Sequence, residues 1–457
     1  MVAIVPLMNE KILILLIFNI LYRTFKKHLA LMKLFNAALF IIFSLYHVQA
    51  QVKYLHCGHL IDGQSKSVQS SKTIIVKANK IIDIRDGYAT VPDTAELVDL
   101  TDQYVMPGFI DMHVHIEGQS SPQRYSESFS MNKADVALRA TMYCERTLMA
   151  GFTTVRDLGG SGVNVSLRKA INAGYIPGPR ILTAEKSLAT TGGHADPSNG
   201  VKDELKGDPG PKEGVINSIE EAKKAVRQRY KNGADCIKIT ATGGVLSLAK
   251  DGMGPQFTIA EVKAVVDAAD DYGFVTAAHA HGKEGMRRAI LGGIHTIEHG
   301  TFMDEEIMDL MIEKGTYYVP TISAGMFVYE KASTNPMYFP AIIRPKALAI
   351  GPLIKETFAK AHKYGVKIAF GTDTGVSPHG DNAKEFEHMV DAGMAPMDAI
   401  IAATKIASEA LRIDDMQGTL STGKYADIIA VDQNPIEDIT SLQQVAFVMK
   451  DGVVYKQ

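Results

Sequence analysis

The stretch Met106-Pro-Gly-Phe-Ile-Asp-Met-His-Val-His115 places two imidazoles, His113 and His115, one residue apart at the end of an apolar run. In a β-strand residues i and i+2 point to the same face, so both rings can reach one metal ion. A strand with two surface histidines would read the same way. The remainder of the chain decides between the two.

Downstream of this stretch, short apolar strands alternate with helical segments. The strands are expected at 109–113, 153–157, 180–183, 236–240, 275–279, 296–299, 317–321 and 367–373, and helical spacing separates most of them, for example over 219–230, 259–272, 283–290 and 304–314. Strand–helix repetition predicts a parallel sheet, and eight repeats predict a closed (β/α)8 TIM barrel rather than an open doubly wound sheet. No GxGxxG follows an early strand, which argues against a dinucleotide site. The Gly-, Pro-, Asp- and Lys-rich segment 188–214 is too long for an ordinary connection and reads as an active-site loop.

Both ends of this middle are β-rich, with turn signals at Gly58, Asp62-Gly63, Asp86-Gly87 and Asp451-Gly452. They predict a small β-sandwich built from both termini. The expected division is an extension plus signal peptide over 1–50, sandwich over 51–106, barrel over 107–417, and sandwich again over 418–457.

The first fifty residues differ from the rest. Two apolar runs, 12–22 and 34–46, flank the basic cluster Arg23-Thr-Phe-Lys-Lys27, and neither reaches the ~20 apolar residues that span a bilayer. Met32 and Lys33, the second run and Val48-Gln49-Ala50 have the parts of a secretory signal over about 32–50, with Gln51 as the mature terminus. A secreted or periplasmic protein without stable membrane insertion follows; a membrane anchor is the alternative. Three cysteines, Cys57, Cys144 and Cys236, provide no disulfide framework in so long a chain.

The 457 residues carry 48 basic and 51 acidic side chains, a net charge of −3 that leaves no electrostatic footprint for nucleic acid. A small-molecule substrate is the expected partner. The sequence leaves a homo-oligomer open.

In a barrel the catalytic groups stand at the carboxyl ends of the strands. Those ends carry His113 and His115, Lys238, His279, His299 and Asp373, all metal-ligating types or convertible to one. Lys238, in Asp235-Cys-Ile-Lys-Ile-Thr-Ala-Thr-Gly-Gly244, is the odd member, because a buried ammonium repels a metal. Carboxylation by carbon dioxide would make it N6-carboxylysine, an anion able to bridge two divalent ions. His279 and His281, in Ala277-Ala-His-Ala-His-Gly282, share a face. His279 at the strand end is the expected ligand, with His281 on the substrate side. Two ions ~3.5–4 Å apart would lower the pKa of a bridging water, whose hydroxide attacks a carbonyl. Asp373, in Phe370-Gly-Thr-Asp-Thr-Gly375, would coordinate one ion and pass the proton to the leaving amine.

These motifs, in this order, resemble the metal-dependent amidohydrolase superfamily over residues 52–457. The closest resemblance is to the Xaa-Pro dipeptidase and imidazolonepropionase-like group, through Thr154-Val-Arg-Asp157, Thr190-Thr-Gly-Gly-His194, Glu298-His-Gly300 and Pro378-His-Gly-Asp-Asn382. The resemblance implies two zinc ions, a carboxylated Lys238, and hydrolysis of dipeptides or N-acyl amino acids. It also implies substrate-side roles for His194, His379 and Tyr230, with His194 polarising a carbonyl and His379 meeting a carboxylate. A cyclic-amide or lactone hydrolase, and a non-catalytic scaffold on the same barrel, are the competing readings.

Overall fold

A computed structural model describes residues 10–45, 51–247 and 252–457. Met1–Gln51 and Val52–Gln457 are separate compact units. In the first, the run 12–22, the basic cluster and residues 34–45 of the second run lie on one continuous helix, Glu10–Leu45. The expected cleavage segment 48–50 lies outside the described residues. Among the described residues no helix is long and apolar enough to cross a membrane.

The second unit opens with four strands, β1 (Val52–Leu60), β2 (Gln69–Lys77), β3 (Lys80–Asp86) and β4 (Glu96–Pro107). Seven more follow: β5 (Phe109–Val114), β6 (Phe152–Asp157), β7 (Arg180–Thr183), β8 (Cys236–Thr240), β9 (Val275–Ala280), β10 (Thr296–His299) and β11 (Tyr317–Val319). The chain ends in β12 (Ile428–Val431), β13 (Phe447–Lys450) and β14 (Val453–Lys456).

Both termini meet in one seven-stranded sheet of order β14-β13-β12-β4-β1-β2-β3. The expected sandwich is therefore a single sheet turned back on itself. Ile81 of β3 donates to the Lys424 carbonyl at 3.0 Å, just before β12, and Leu55, Ile74, Val98, Ile428 and Phe447 close a common core.

Strands β5-β6-β7 and β8-β9-β10-β11 form two parallel sheets, as strands joined by crossover helices must. Backbone hydrogen bonds join them at both seams. On one side Asp235 N donates to Thr183 O at 2.7 Å, and Leu188 N to Lys238 O at 2.7 Å. On the other, the segment 367–374 lies between β11 and β5: Tyr318 N donates to Lys367 O at 2.8 Å, Met112 N to Phe370 O at 2.9 Å, and Asp373 N to His113 O at 2.7 Å. The expected eighth strand is thus present as a hydrogen-bonded bridge rather than a regular ladder. It pairs first with β11 and then with β5, and Asp373 turns it at φ +56°. The result is a TIM-barrel-type α/β arrangement. Ile110, Met112, Cys236, Ala277, Val319 and Ala369 form an apolar cluster drawn from strands around the ring.

The helices begin and end where their caps dictate. Thr258 and Glu261 form a capping box before Ile259–Asp270, and Ser218 accepts from Glu221 N ahead of Ile219–Asn232. Two further helices between β11 and the bridging segment, Ile322–Thr334 and Arg344–Tyr364, bear no counterpart in the sequence expectations. They approach closely at Gly325, where a Cβ would stand 2.7 Å from Ile354 Cγ2.

The bridging segment passes tightly over β5 and β11. A Cβ on Gly371 would lie 2.4 Å from Val319 Cγ1 and 3.1 Å from His113 N. Both neighbours are held by the ring, so the clash has no easy relief. Gly371→Ala is expected to lose about 1–3 kcal/mol of stability, read as a lowered midpoint in denaturant or thermal unfolding; an unchanged midpoint would show that the segment is free to move.

Candidate metal centre

The strand ends deliver the expected ligands to one place. His113, His299 and Asp373 offer donor atoms within 4.8 Å of one another. His115 Nε2 lies 3.4 Å and His113 Nε2 3.5 Å from the same oxygen, Asp373 Oδ1. Lys238 Nζ lies 3.4 Å from His113 Nε2. The rings of His279 and His299 meet edge to face, with centroids 4.6 Å apart.

Hydrogen bonds on the far side of each ring fix which nitrogen is left to bind. His113 Nδ1 is 2.9 Å from Glu298 Oε2, and His115 Nδ1 is 2.7 Å from the Gly159 carbonyl. His279 uses its other nitrogen, with Nε2 3.1 Å from Gly243 O. These partners are acceptors, so each engaged nitrogen carries the proton and the other keeps its lone pair. For His299, Thr321 Oγ1 donates to Pro320 O at 2.7 Å and so accepts from Nδ1 at 2.7 Å, leaving Nε2.

Burial drives all four imidazoles below their ordinary range, and the nearby Lys238 charge adds to the effect. They are neutral donors at physiological pH. Burial also raises the Asp373 carboxyl, opposed by Lys238 and Arg124, and lowers the Lys238 ammonium, opposed by Glu298 and Asp373. Asp373 Oδ1 is buried without a hydrogen-bond partner. An orphaned carboxylate oxygen facing neutral imidazole lone pairs fits a divalent metal ion.

The substrate-side expectations divide. His194 lines the cavity above these groups, its ring stacked on His279 at 4.3 Å; a Cβ on Gly244 would stand 2.3 Å from its Cε1. His281 also lines the cavity, stacked on His299 at 5.0 Å with Nδ1 2.8 Å from Thr301 Oγ1. Tyr230 and His379 do not join them. Tyr230 projects from the helix Ile219–Asn232, half exposed and stacked at 4.1 Å on Tyr272, where its helical position puts it among the outer helices. His379 is buried against Tyr143, its Nε2 2.8 Å from Gly118 O, so its loop turns it away from the cavity and into the packing.

Three functional groups escaped the sequence reading. Glu298 orients His113; Arg156, wholly buried, holds Glu298 Oε1 at 2.8 Å; and Thr321 fixes the tautomer of His299. Glu298 stands within the quoted Glu298-His-Gly300 motif, where alternation along β10 would have turned it opposite to a ligand. His299 breaks that alternation with φ +69°, which lets both residues serve the site.

The Amidohydrolase family profile matches residues 104–455. Ochratoxinase from Aspergillus niger is 33% identical over 430 residues, 89% of this chain and 87% of the relative. A Xaa-Pro dipeptidase whose crystal structure has methionine bound in the active site is 53% identical, with a TM-score of 0.87 over 89% of this chain and all of that one. Imidazolonepropionase from Acinetobacter baumannii is 23% identical over 84% of this chain and 92% of its own. A site of buried imidazoles, a lysine and a carboxylate at the strand ends, within a sequence so matched, establishes that this chain belongs to the amidohydrolase family and is a metal-dependent hydrolase of C–N bonds.

Proposed function

We propose that the protein is a binuclear zinc hydrolase that cleaves the C–N bond of dipeptides or N-acyl amino acids. The observation that carries this reading is Lys238. A lysine is buried at the centre of a metal-ligand cluster, 3.4 Å from a histidine lone pair, where an ammonium would oppose every ion the other ligands attract. Burial weakens the ammonium and favours the neutral amine, the form that condenses with carbon dioxide to a carbamate and a released proton. N6-carboxylysine at Lys238 would join an ion held by His113, His115 and Asp373 to one held by His279 and His299. Two such ions would supply Lewis acidity and an activated water near neutral pH.

The protein's own groups supply the rest. Asp373, with a carboxyl raised by burial, can take a proton and return it to the departing amine. His194, stacked over His279 and lining the cavity, would hold the carbonyl oxygen of a bound amide. The similar dipeptidase with methionine in its active site supports an amino-acid-sized ligand. A secreted or periplasmic location belongs to the same proposal and rests on the signal-like stretch 32–50.

Metal analysis of the purified protein should give about two zinc ions per chain, and Lys238→Ala should lose most of that content while remaining folded. Full zinc occupancy in this variant would remove the lysine bridge. Asp373→Asn should lower turnover of dipeptides or acyl amino acids by about a hundredfold or more. Retained turnover would exclude Asp373 as the proton carrier, and a preference for cyclic imides or lactones in the same panel would favour the competing hydrolase.

A further inference from the structure

The cavity above the metal centre measures about 690 Å³ and has two unlike sides. One is a continuous apolar wall. Val328, Phe339, Ile343, Ile350 and Ile354 line it, all from the helices Ile322–Thr334 and Arg344–Tyr364 or the turn between them. Four of these five belong to an apolar cluster of their own, separate from the core under the barrel helices. These side chains are largely buried against one another, and each also contributes to the lining of the cavity beside the reaction centre, as the apolar side of a binding pocket does.

The second feature is a cation. Arg124 follows β5 and lines the same cavity. Among the described residues its guanidinium has no ion pair and no side-chain hydrogen bond, and the residue is solvent-exposed where it lines the cavity. Apart from Lys238 it is the only cation among the described residues that line the cavity. His379, the sequence-based choice for meeting a carboxylate, is sealed behind Gly118 and Tyr143. The planar fork of an arginine is the side chain best matched to a carboxylate.

The geometry points to a substrate with two recognition elements: a free carboxylate that pairs with Arg124, and a bulky apolar group that lies against the wall formed by Val328, Phe339, Ile343, Ile350 and Ile354. The cavity would thus select hydrophobic peptidyl or N-acyl amino acids over small or polar ones. The inference rests on the C–N hydrolase reading above and adds the class of substrate.

Zinc-loaded protein assayed on N-acyl amino acids and dipeptides varied one half at a time tests it. Enlarging the apolar group in at least one half, from glycine or acetyl to leucine, phenylalanine or benzoyl, should raise kcat/KM about tenfold or more. Phe339→Ala and Ile354→Ala should reduce that gain. Replacing the carboxylate by a carboxamide should cost about tenfold; Arg124→Gln should bring the acid-to-amide ratio close to one, and Arg124→Lys should restore part of it. Turnover with no dependence on apolar bulk, or an acid preference that survives Arg124→Gln, overturns this inference and leaves the hydrolase reading standing. No turnover of any panel member by fully loaded protein overturns both.

Discussion

A wholly buried guanidinium sets the terms for the interior of the barrel. Arg156 on β6 donates from Nε to the Met112 carbonyl on β5 at 2.6 Å, from one terminal nitrogen to Thr296 on β10 at 3.1 Å, and from the other to Glu298 at 2.8 Å. Thr296 donates to the same Glu298 oxygen. The opposite Glu298 oxygen takes the proton-bearing nitrogen of His113. A charge this deep is tolerated only when every donor is met and a counter-ion is present, and losing one partner of such a pair costs about 3–5 kcal/mol. The ion pair therefore ties three strands together and aims a ligand in one arrangement. It fixes the orientation of His113, a role that apolar side chains, which often stabilise a core as well as a buried ion pair does, could not fill.

Backbone strain concentrates at the same end of the barrel. His299, Thr321 and Asp373 all have positive φ, at +69°, +54° and +56°, in residues with side chains. Each such conformation costs about 1–3 kcal/mol and persists only where its surroundings over-determine it. Those surroundings can be named. Tyr318 donates to the His299 carbonyl at 2.9 Å, Asp373 N is bonded to His113 O, and Glu385 accepts from Ile322 N and Ser323 N at 2.8 and 2.7 Å, pinning the helix that leaves Thr321. The strain turns two ligands and one hydrogen-bond partner inward where a regular strand would have carried the chain past the site.

The candidate ligands were legible in the sequence as a group because two rules act together: strands in a barrel repeat, and chemistry gathers at their carboxyl ends. His113, His115, Lys238, His279, His299 and Asp373 each satisfied both, and the structure brings them together. What lay beyond those rules was read less well. Tyr230 and His379 stand on a helix and a loop whose side-chain directions depend on tertiary packing, and both turn away from the cavity. Arg156 and Glu298 are internal to strands, where nothing local signals that a charge across the barrel will answer another. The two helices between β11 and the bridging segment were missed, and with them the apolar wall of the cavity.

These misses share a physical cause, which bears on how the molecule divides its work. The chemical groups belong to strands whose spacing and direction are imposed by a hydrogen-bonded ring, so a short local pattern specifies their position to within a side chain's reach. The wall that meets the substrate belongs to helices inserted between two strands, held by apolar contacts such as that between Gly325 and Ile354. Apolar packing accepts many sequences of similar volume, so no short motif marks it. A change in the wall can therefore alter which substrate fits while the ring, its buried ion pair and its ligands keep their geometry. Similarity along the strands identifies the reaction, and the shape between the inserted helices is what must be read to learn its substrate.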